Sequence, residues 1–340
     1  MTIRIIEIGY KGIGRGWCEI IRETSGCELI GIVDRDAEIQ RMAASETGLP
    51  TFSSVAEAKA AVGPDAAVIA TPSFVHADNV RECLKSRLHV LVEKPFTVDL
   101  SEAKCLVEHA ESEGLVLLVS QNYRYHAAAC AVRNLIRGGK LGEVEFVQIQ
   151  GFNLADTGGS YRCRIRNPHL WEMAIHQFDL LRFLFDSDVA RVFCALFNPS
   201  WSWYEGAAYT HAWLELARGV RVNYLGTYVT RGPQSTWDNA WRFEGTSGAI
   251  LWNESPQVLL QYVSEPGAAA ETLPVKPLSH ENLHGTLNEL VLAIEKGAAA
   301  QCCGRDNLKS LAICSACEIS AQERRVVEMV DVIEMTDGIL

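Results

Sequence analysis

No stretch of this chain reaches the roughly 18 uncharged apolar residues that a membrane-crossing helix needs, so no transmembrane segment is expected. The N-terminus, Met1-Thr2-Ile3-Arg4-Ile5-Ile6-Glu7, lacks the basic start, apolar stretch and small-residue cleavage site of a secretory leader, and a cytoplasmic protein is expected. Positive charge is also scarce. Lys and Arg number 31 against 42 Asp and Glu, a net charge of −11, and no basic run is found. Such a surface repels nucleic-acid backbones and anionic membranes, and both are set aside as partners. Compositional bias is missing too: with 48% apolar and 21% charged residues the chain belongs with ordinary globular proteins rather than disordered or collagen-like ones. The 11 cysteines are odd in number and scattered through segments patterned as helix and strand, which argues against a secreted disulfide scaffold and for reduced thiols. Cys314 and Cys317 form a C-x-x-C inside an apolar-periodic helix without a second pair at ligand spacing. They read as buried thiols.

What is present is a change of rhythm near Gln121. The 340 residues suffice for two domains. In the first third, short Ile- and Val-rich runs (4–8, 28–34, 66–70, 89–93 and 116–120) alternate with helical stretches (14–24, 36–48, 75–86 and 100–113). Strand–helix alternation of this kind favours parallel pairing, hence a doubly wound parallel sheet covered on both faces. Beyond it come a helix (127–137), a strand (143–152) and a Gly- and Arg-rich loop leading to a helix (167–185). Six strands follow between 190 and 263, and two helices (281–296 and 305–324) close the pattern. The turn residues Arg218-Gly219 and Gly245-Thr246-Ser247-Gly248 suit hairpins. The expected architecture is α/β: an N-terminal Rossmann domain over residues 1–122, then an α+β domain over 123–340 built on a large open, mainly antiparallel sheet.

The first strand runs into Gly9-Tyr10-Lys11-Gly12-Ile13-Gly14 and then a helix. Glycines here permit a tight turn and a close backbone approach to a pyrophosphate, while the helix N-terminus presents free N–H groups to it. The usual second glycine is Lys11. Either Gly12 restores the backbone freedom in a shifted register, or Lys11 turns toward the phosphates. Asp34 ends the second strand about twenty residues on, where a carboxylate accepts ribose hydroxyls and repels a 2′-phosphate, favouring NAD over NADP. Arg35 beside it softens that preference. Glu7, inside a buried strand, is expected to have a partner.

The fourth of the predicted strands ends in Glu93-Lys94-Pro95. At the carboxyl end of a parallel strand Lys94 points into the cofactor crevice, where partial desolvation would lower its pKa for proton exchange with a substrate hydroxyl. Thr71-Pro72-Ser73 with His76, and Gln121-Asn122-Tyr123-Arg124-Tyr125, supply further strand-end loops. In the helix from 167, Glu172, His176 and Asp179 fall at i, i+4 and i+7 on one face, with Ile175, Phe178 and Leu181 largely on another. A carboxylate against an imidazole suits a general acid/base near neutrality. A zinc set of Cys163, His169 and His176 has no recognised spacing, so no metal is expected.

Together these residues resemble the glucose–fructose oxidoreductase / inositol dehydrogenase / MocA (Gfo/Idh/MocA) family. The likeness rests on Gly9…Gly14, Asp34, Ala70-Thr71-Pro72 with His76, Glu93-Lys94-Pro95, Asn122-Tyr123-Arg124-Tyr125, Glu172…His176…Asp179, Leu141-Gly142-Glu143-Val144 and Glu244-Gly245-Thr246-Ser247-Gly248, spanning nearly the whole chain. It implies an NAD(P)-dependent dehydrogenase that oxidises a secondary alcohol of a sugar, cyclitol or related polyol by hydride transfer, with Lys94 and His176 as proton relay. Family members usually carry Asp where Glu172 stands, so Glu172 either bonds the substrate or orients His176. Cofactor contacts are expected from Gly9, Lys11, Gly12, Ile13, Gly14, Asp34, Arg35, Thr71, Pro72, His76, Glu93, Lys94 and Asn122, and substrate contacts from Tyr123, Arg124, Arg164, Glu172 and Asp179. The resemblance further implies a homodimer or homotetramer through the open sheet face, with Trp201, Trp203, Tyr204, Trp213 and Tyr228 suiting that contact or the core. Two other readings stay open: a redox-neutral NAD enzyme that cleaves or epimerises through transient oxidation, and a non-catalytic sensor. Arg162, Arg164 and Arg166, with Tyr161, are concentrated in the loop 156–167, where the arginines either are solvated loop charges or mark a preference for an acidic or phosphorylated sugar.

Overall fold

The structure is a computed structural model that describes residues 2–155, 159, 161–254, 257–264, 267 and 269–337. Of the expected substrate loop 156–167, residues 156–158 and 160 lie outside the described residues.

The chain divides into two units, Met1–Asn122 with His280–Leu308, and Tyr123–Ser279 with Lys309–Leu340. In the first, β1 (Ile3–Ile8), α1 (Ile13–Glu23), β2 (Cys27–Val33), α2 (Ala37–Thr47), β3 (Thr51–Phe52), α3 (Val55–Val62), β4 (Ala66–Ile69), α4 (His76–Lys85), β5 (His89–Glu93), α5 (Leu100–Ser112) and β6 (Leu117–Ser120) follow one another. The strands form one parallel sheet in the order β3-β2-β1-β4-β5-β6. Burial on both faces explains their unbroken apolar runs: every residue of β4 and β6 is buried. Helix starts and stops follow local chemistry. The Asp36, Ser54 and Asp99 side chains accept the first-turn N–H groups of α2, α3 and α5, and Gly48 and Gly63 close α2 and α3 in the left-handed region. In α1 the buried residues Gly14, Trp17, Cys18 and Ile21 repeat at helical spacing and face the sheet.

The second unit holds α6 (Ala127–Arg137), β7 (Val144–Phe152), a π-helical turn (Leu170–Ala174) continued by α7 (Ile175–Phe185), β8 (Val189–Phe197), β9 (Tyr209–Leu216), β10 (Arg221–Thr227), β11 (Ala240–Gly245), β12 (Gly248–Glu254), β13 (Gln257–Tyr262) and β14 (Glu271–Leu273). After α8 (Asn282–Lys296) and α9 (Gly304–Glu323) come β15 (Val327–Glu328) and α10 (Met329–Asp337). Nine strands form one sheet, β14-β13-β12-β11-β7-β10-β9-β8-β15, antiparallel except where β7 and β10 run parallel. One face is apolar and buried, with Val147, Ile149, Leu214, Tyr224, Trp241 and Trp252 pointing inward. On the other face Phe193, Phe197 and Phe146 are exposed. Every residue of α7 is buried.

Two corrections concern organisation. Residues 280–308, assigned by the sequence to the second domain, belong to the first unit, because Leu287, Leu290 and Val291 of α8 join Ile5, Trp17 and Ile21 in its core. Periodicity shows that α8 has an apolar face but not which core receives it. The strands β3, β14 and β15 were not expected either, since two- and three-residue strands carry no readable alternation, and neither were the helices α3 and α10.

Candidate active site

All strands of the first sheet run parallel, so the loops after β1, β2, β4 and β5 open at one edge. There a cavity of about 350 Å³ is lined by Gly9, Lys11, Asp34, Arg35, Thr71, Pro72 and, unforeseen from the sequence, Ser53, Ser54 and Phe74. Gly9 has φ +101°, and a Cβ on it would lie 2.7 Å from the Thr71 methyl group. Gly14 has no room either, since its Cβ would fall 2.0 Å from the Gly9 carbonyl oxygen. Gly12 supplies the left-handed turn (φ +61°) ahead of α1, while Lys11 is exposed at the cavity wall. Gly12 thus carries the backbone freedom that the second glycine usually supplies. Ile13, the first residue of α1, is 44% exposed.

Asp34 accepts the N–H of Tyr10 (3.2 Å) and of Asp36 (3.0 Å), which fixes its carboxylate at the cavity rim. The Tyr10 hydroxyl donates to Glu46 at 2.7 Å; burial and this carboxylate push its pKa up to about 12. Phe74, 70% exposed, lies in the same loop as Thr71 and Pro72. An aromatic between Pro72 and His76 was the available signal.

Lys94 is half-buried at the carboxyl end of β5. Glu93, Asn122 and His76 are turned to internal bonds. Glu93 is buried, accepts the Trp17 indole N–H at 2.9 Å and the Lys94 N–H at 3.2 Å, and burial raises its pKa. The Asn122 amide donates to the Asn282 side chain at the start of α8. The His76 ring nitrogens lie 2.8 Å from the carbonyls of Pro95 and of Thr71, tying the β4 and β5 loops together.

In the second unit the expected continuous α-helix over 167–185 is instead a π turn followed by α7. The π turn carries more residues per turn, so the i, i+4, i+7 spacing of an α-helix does not hold through Glu172. The two acids have separate partners. The Arg162 guanidinium lies 3.6 Å from Glu172, whereas Arg124 binds Asp179 through two hydrogen bonds of 2.6 Å. Arg124 and Asp179 are both buried; Ser310 donates to Asp179 at 2.8 Å, and Arg182 donates to Ser310 at 2.9 Å. Both groups expected at the substrate thus have their charge spent on each other. Arg164 is exposed. Ile175, Phe178 and Leu181 are fully buried, as their spacing predicts.

His176 is buried, and the Tyr123 ring stacks on it with centroids 4.2 Å apart and planes 9° from parallel. Tyr123 was expected at the substrate; its hydroxyl donates to the Trp237 carbonyl at 3.2 Å. Tyr204 and Tyr228 belong to the core beside it, whereas Trp201 is 41% exposed.

Two buried groups stand out. Neither carboxyl oxygen of Glu7 has a hydrogen-bond partner among the described residues, contrary to the partner expected from sequence. His169 Nδ1 meets the Thr210 hydroxyl at 3.0 Å, Nε2 has no partner among the described residues, and burial lowers the ring's pKa to about 3. Among the described residues no three His, Cys, Asp or Glu side chains gather as a metal site, and none of the eleven cysteines is in a disulfide. No helix among the described residues is long and apolar enough to cross a membrane.

A parallel sheet with a glycine turn and an acid after β2 defines a dinucleotide-binding oxidoreductase, and comparison with known proteins agrees. Residues 3–121 match the family described as "Oxidoreductase family, NAD-binding Rossmann fold", and residues 130–251 match the "GFO/IDH/MocA C-terminal domain". The chain belongs to the Gfo/Idh/MocA oxidoreductase family. It is 26% identical over 335 residues to D-apiose dehydrogenase of Paraburkholderia graminis, covering 95% of this chain and 88% of that one. It is 24% identical over 344 residues to inositol 2-dehydrogenase of Rhizobium meliloti, covering 97% and 100%. An Agrobacterium radiobacter oxidoreductase, solved with NAD+, L-tartaric acid and magnesium, shares the fold with a TM-score of 0.88 at 21% identity, over 97% of this chain and 99% of that one.

Proposed function

We propose that this oxidoreductase is an NAD-dependent dehydrogenase that oxidises a secondary alcohol of a sugar, cyclitol or related polyol. The observation that carries the reading is the carboxyl edge of the first sheet, where the half-buried Lys94 follows β5 and the turn after β1 has no room for a Cβ at Gly9 or Gly14. The similarity to proteins named D-apiose dehydrogenase and inositol 2-dehydrogenase supports the substrate class.

The residues at this edge fit NAD. Gly9 and Gly14 let the turn pack closely on Thr71 and on itself, Gly12 leaves open space ahead of α1 for a pyrophosphate, and Lys11 adds a cation there. Asp34, oriented by two backbone N–H groups, is placed to accept ribose hydroxyls and to disfavour a 2′-phosphate. Bound NAD supplies the hydride acceptor. Lys94 and His176 take the proton of the substrate hydroxyl as the C–H bond breaks, and Glu172 bears on His176 or the substrate. His76, Glu93 and the Arg124–Asp179 pair position the loops and helix that carry these groups.

Screening sugars, cyclitols and sugar acids for NADH and NADPH formation tests the reading: NADH should appear with a polyol and exceed NADPH. Lys94→Ala and His176→Ala should each cut turnover by roughly 10²–10⁴ while NADH still binds by fluorescence titration. Unchanged turnover in both variants removes the relay, and glycoside cleavage without net NADH favours a redox-neutral enzyme. The exposed Phe193 and Phe197 on the open face of the nine-stranded sheet support a homo-oligomer formed through that face.

A further inference from the structure

The Tyr123 ring touches two imidazoles. Beside its stack on His176, its centroid lies 4.6 Å from that of His126, with the planes 31° apart. The cause is local. Asn122–Tyr125 form a 3₁₀ turn, in which side chains three apart eclipse, and the His126 N–H donates to the Tyr123 carbonyl at 3.2 Å. Each end of the arrangement is held. His126 Nδ1 lies 2.7 Å from an Asp238 carboxylate oxygen, and the Tyr123 hydroxyl donates to the carbonyl of the neighbouring Trp237. The tyrosine is thus held by its hydroxyl and by the tilted His126 ring, and it stacks face to face on His176.

We propose that Tyr123 is a positioning residue for His176: it holds the imidazole plane and offers its π face to the positive charge the ring acquires on taking a proton. This rests on the reading of His176 as the proton acceptor. A cation against an aromatic face is stabilised by the ring's quadrupole, and the effect grows when water is excluded. Burial, with the Asp238 charge behind it, keeps the Tyr123 phenol well above its ordinary pKa, so the hydroxyl remains a donor throughout the working range. The charged and titratable groups gathered round the pair are Glu172 and Asp179 on the helix of His176, Arg162 against Glu172, Arg124 against Asp179, and His126 and Asp238 beyond Tyr123. Tyr228, packed by the same cluster, stays neutral through burial.

The test compares Tyr123→Phe with Tyr123→Leu in the full chain. The His176 ring resonance, assigned by its loss in His176→Gln, is titrated by NMR without substrate, and kcat and KM are measured across pH with the best alcohol of the screen. Phe keeps the ring and should leave the titration midpoint near wild type. Leu removes the face that favours imidazolium, so the midpoint and the acid limb of kcat should both move to lower pH by about half a unit. At the optimum kcat should fall about tenfold with KM within about twofold, the pattern of a lost transition-state interaction. Should Leu fail to fold, Tyr123→Met, similar in volume but without a ring, carries the same expectation. An unmoved midpoint in Leu or Met overturns the proposal. So does a Phe variant with a raised KM, which would make the hydroxyl a substrate contact. If no alcohol reduces NAD, the dehydrogenase reading fails while the titration still decides the role of Tyr123.

Discussion

Glu7 and His169 show how a buried titratable group ties stability to pH. Glu7 is buried in β1, and desolvation, followed by the charge of Asp34, holds its pKa well above 4.5. The folded chain keeps a proton there that the unfolded chain releases, so this contribution to stability is lost as pH rises from about 4.5 toward the folded pKa, at up to about 1.4 kcal/mol per pH unit. His169 acts in the opposite sense. Its folded pKa of about 3 lies below the ordinary 6.5, so stability falls as pH drops from 6.5 to about 3. Stability should therefore peak on the mildly acidic side of neutrality. Glu7→Gln should melt above wild type at pH 8 and converge with it near pH 4. Melting curves across pH check this, and a wild-type slope in the variant would clear Glu7.

At the scale of elements, the site depends on the joint between the 3₁₀ turn at 122–125 and α7. Arg124 and Asp179 make that joint in a buried setting, with Ser310 and Arg182 closing the network. Removing one partner of a buried pair strands the other charge. Arg124→Met should cost about 3–5 kcal/mol, read as a fall in melting temperature of about 10 °C. The double variant Arg124→Met/Asp179→Leu should recover part of the loss, because the stranded carboxylate is gone. A single variant as stable as wild type would show that the pair contributes nothing net.

At the scale of the molecule, one face of the nine-stranded sheet exposes Phe146, Phe193 and Phe197 among the described residues. Phe193 pairs with Trp213 and Phe197 with Tyr209 across β8 and β9, which places an aromatic strip on that face. Phe193→Glu combined with Phe197→Glu should shift the sedimentation coefficient from oligomer to monomer while each unit keeps its fold by circular dichroism. An unchanged coefficient would move the contact elsewhere.

The parallel half of the fold was legible because its signals are local: runs doubly buried along β4 and β5, caps at Asp36, Ser54 and Asp99, and a turn that admits only glycine at position 9. Lys94 was legible for the same reason, as a strand end followed by proline. The sequence alone therefore determined the class of fold and the family. Tertiary structure decided the rest: that α8 serves the first core, that the turn under Glu172 is π rather than α, that Arg124 and Asp179 answer each other, and that Tyr123 lies on His176. Each of these pairs residues far apart in the chain or turns on a change of helical pitch, and periodicity can say that a side chain faces inward but not what it will meet there.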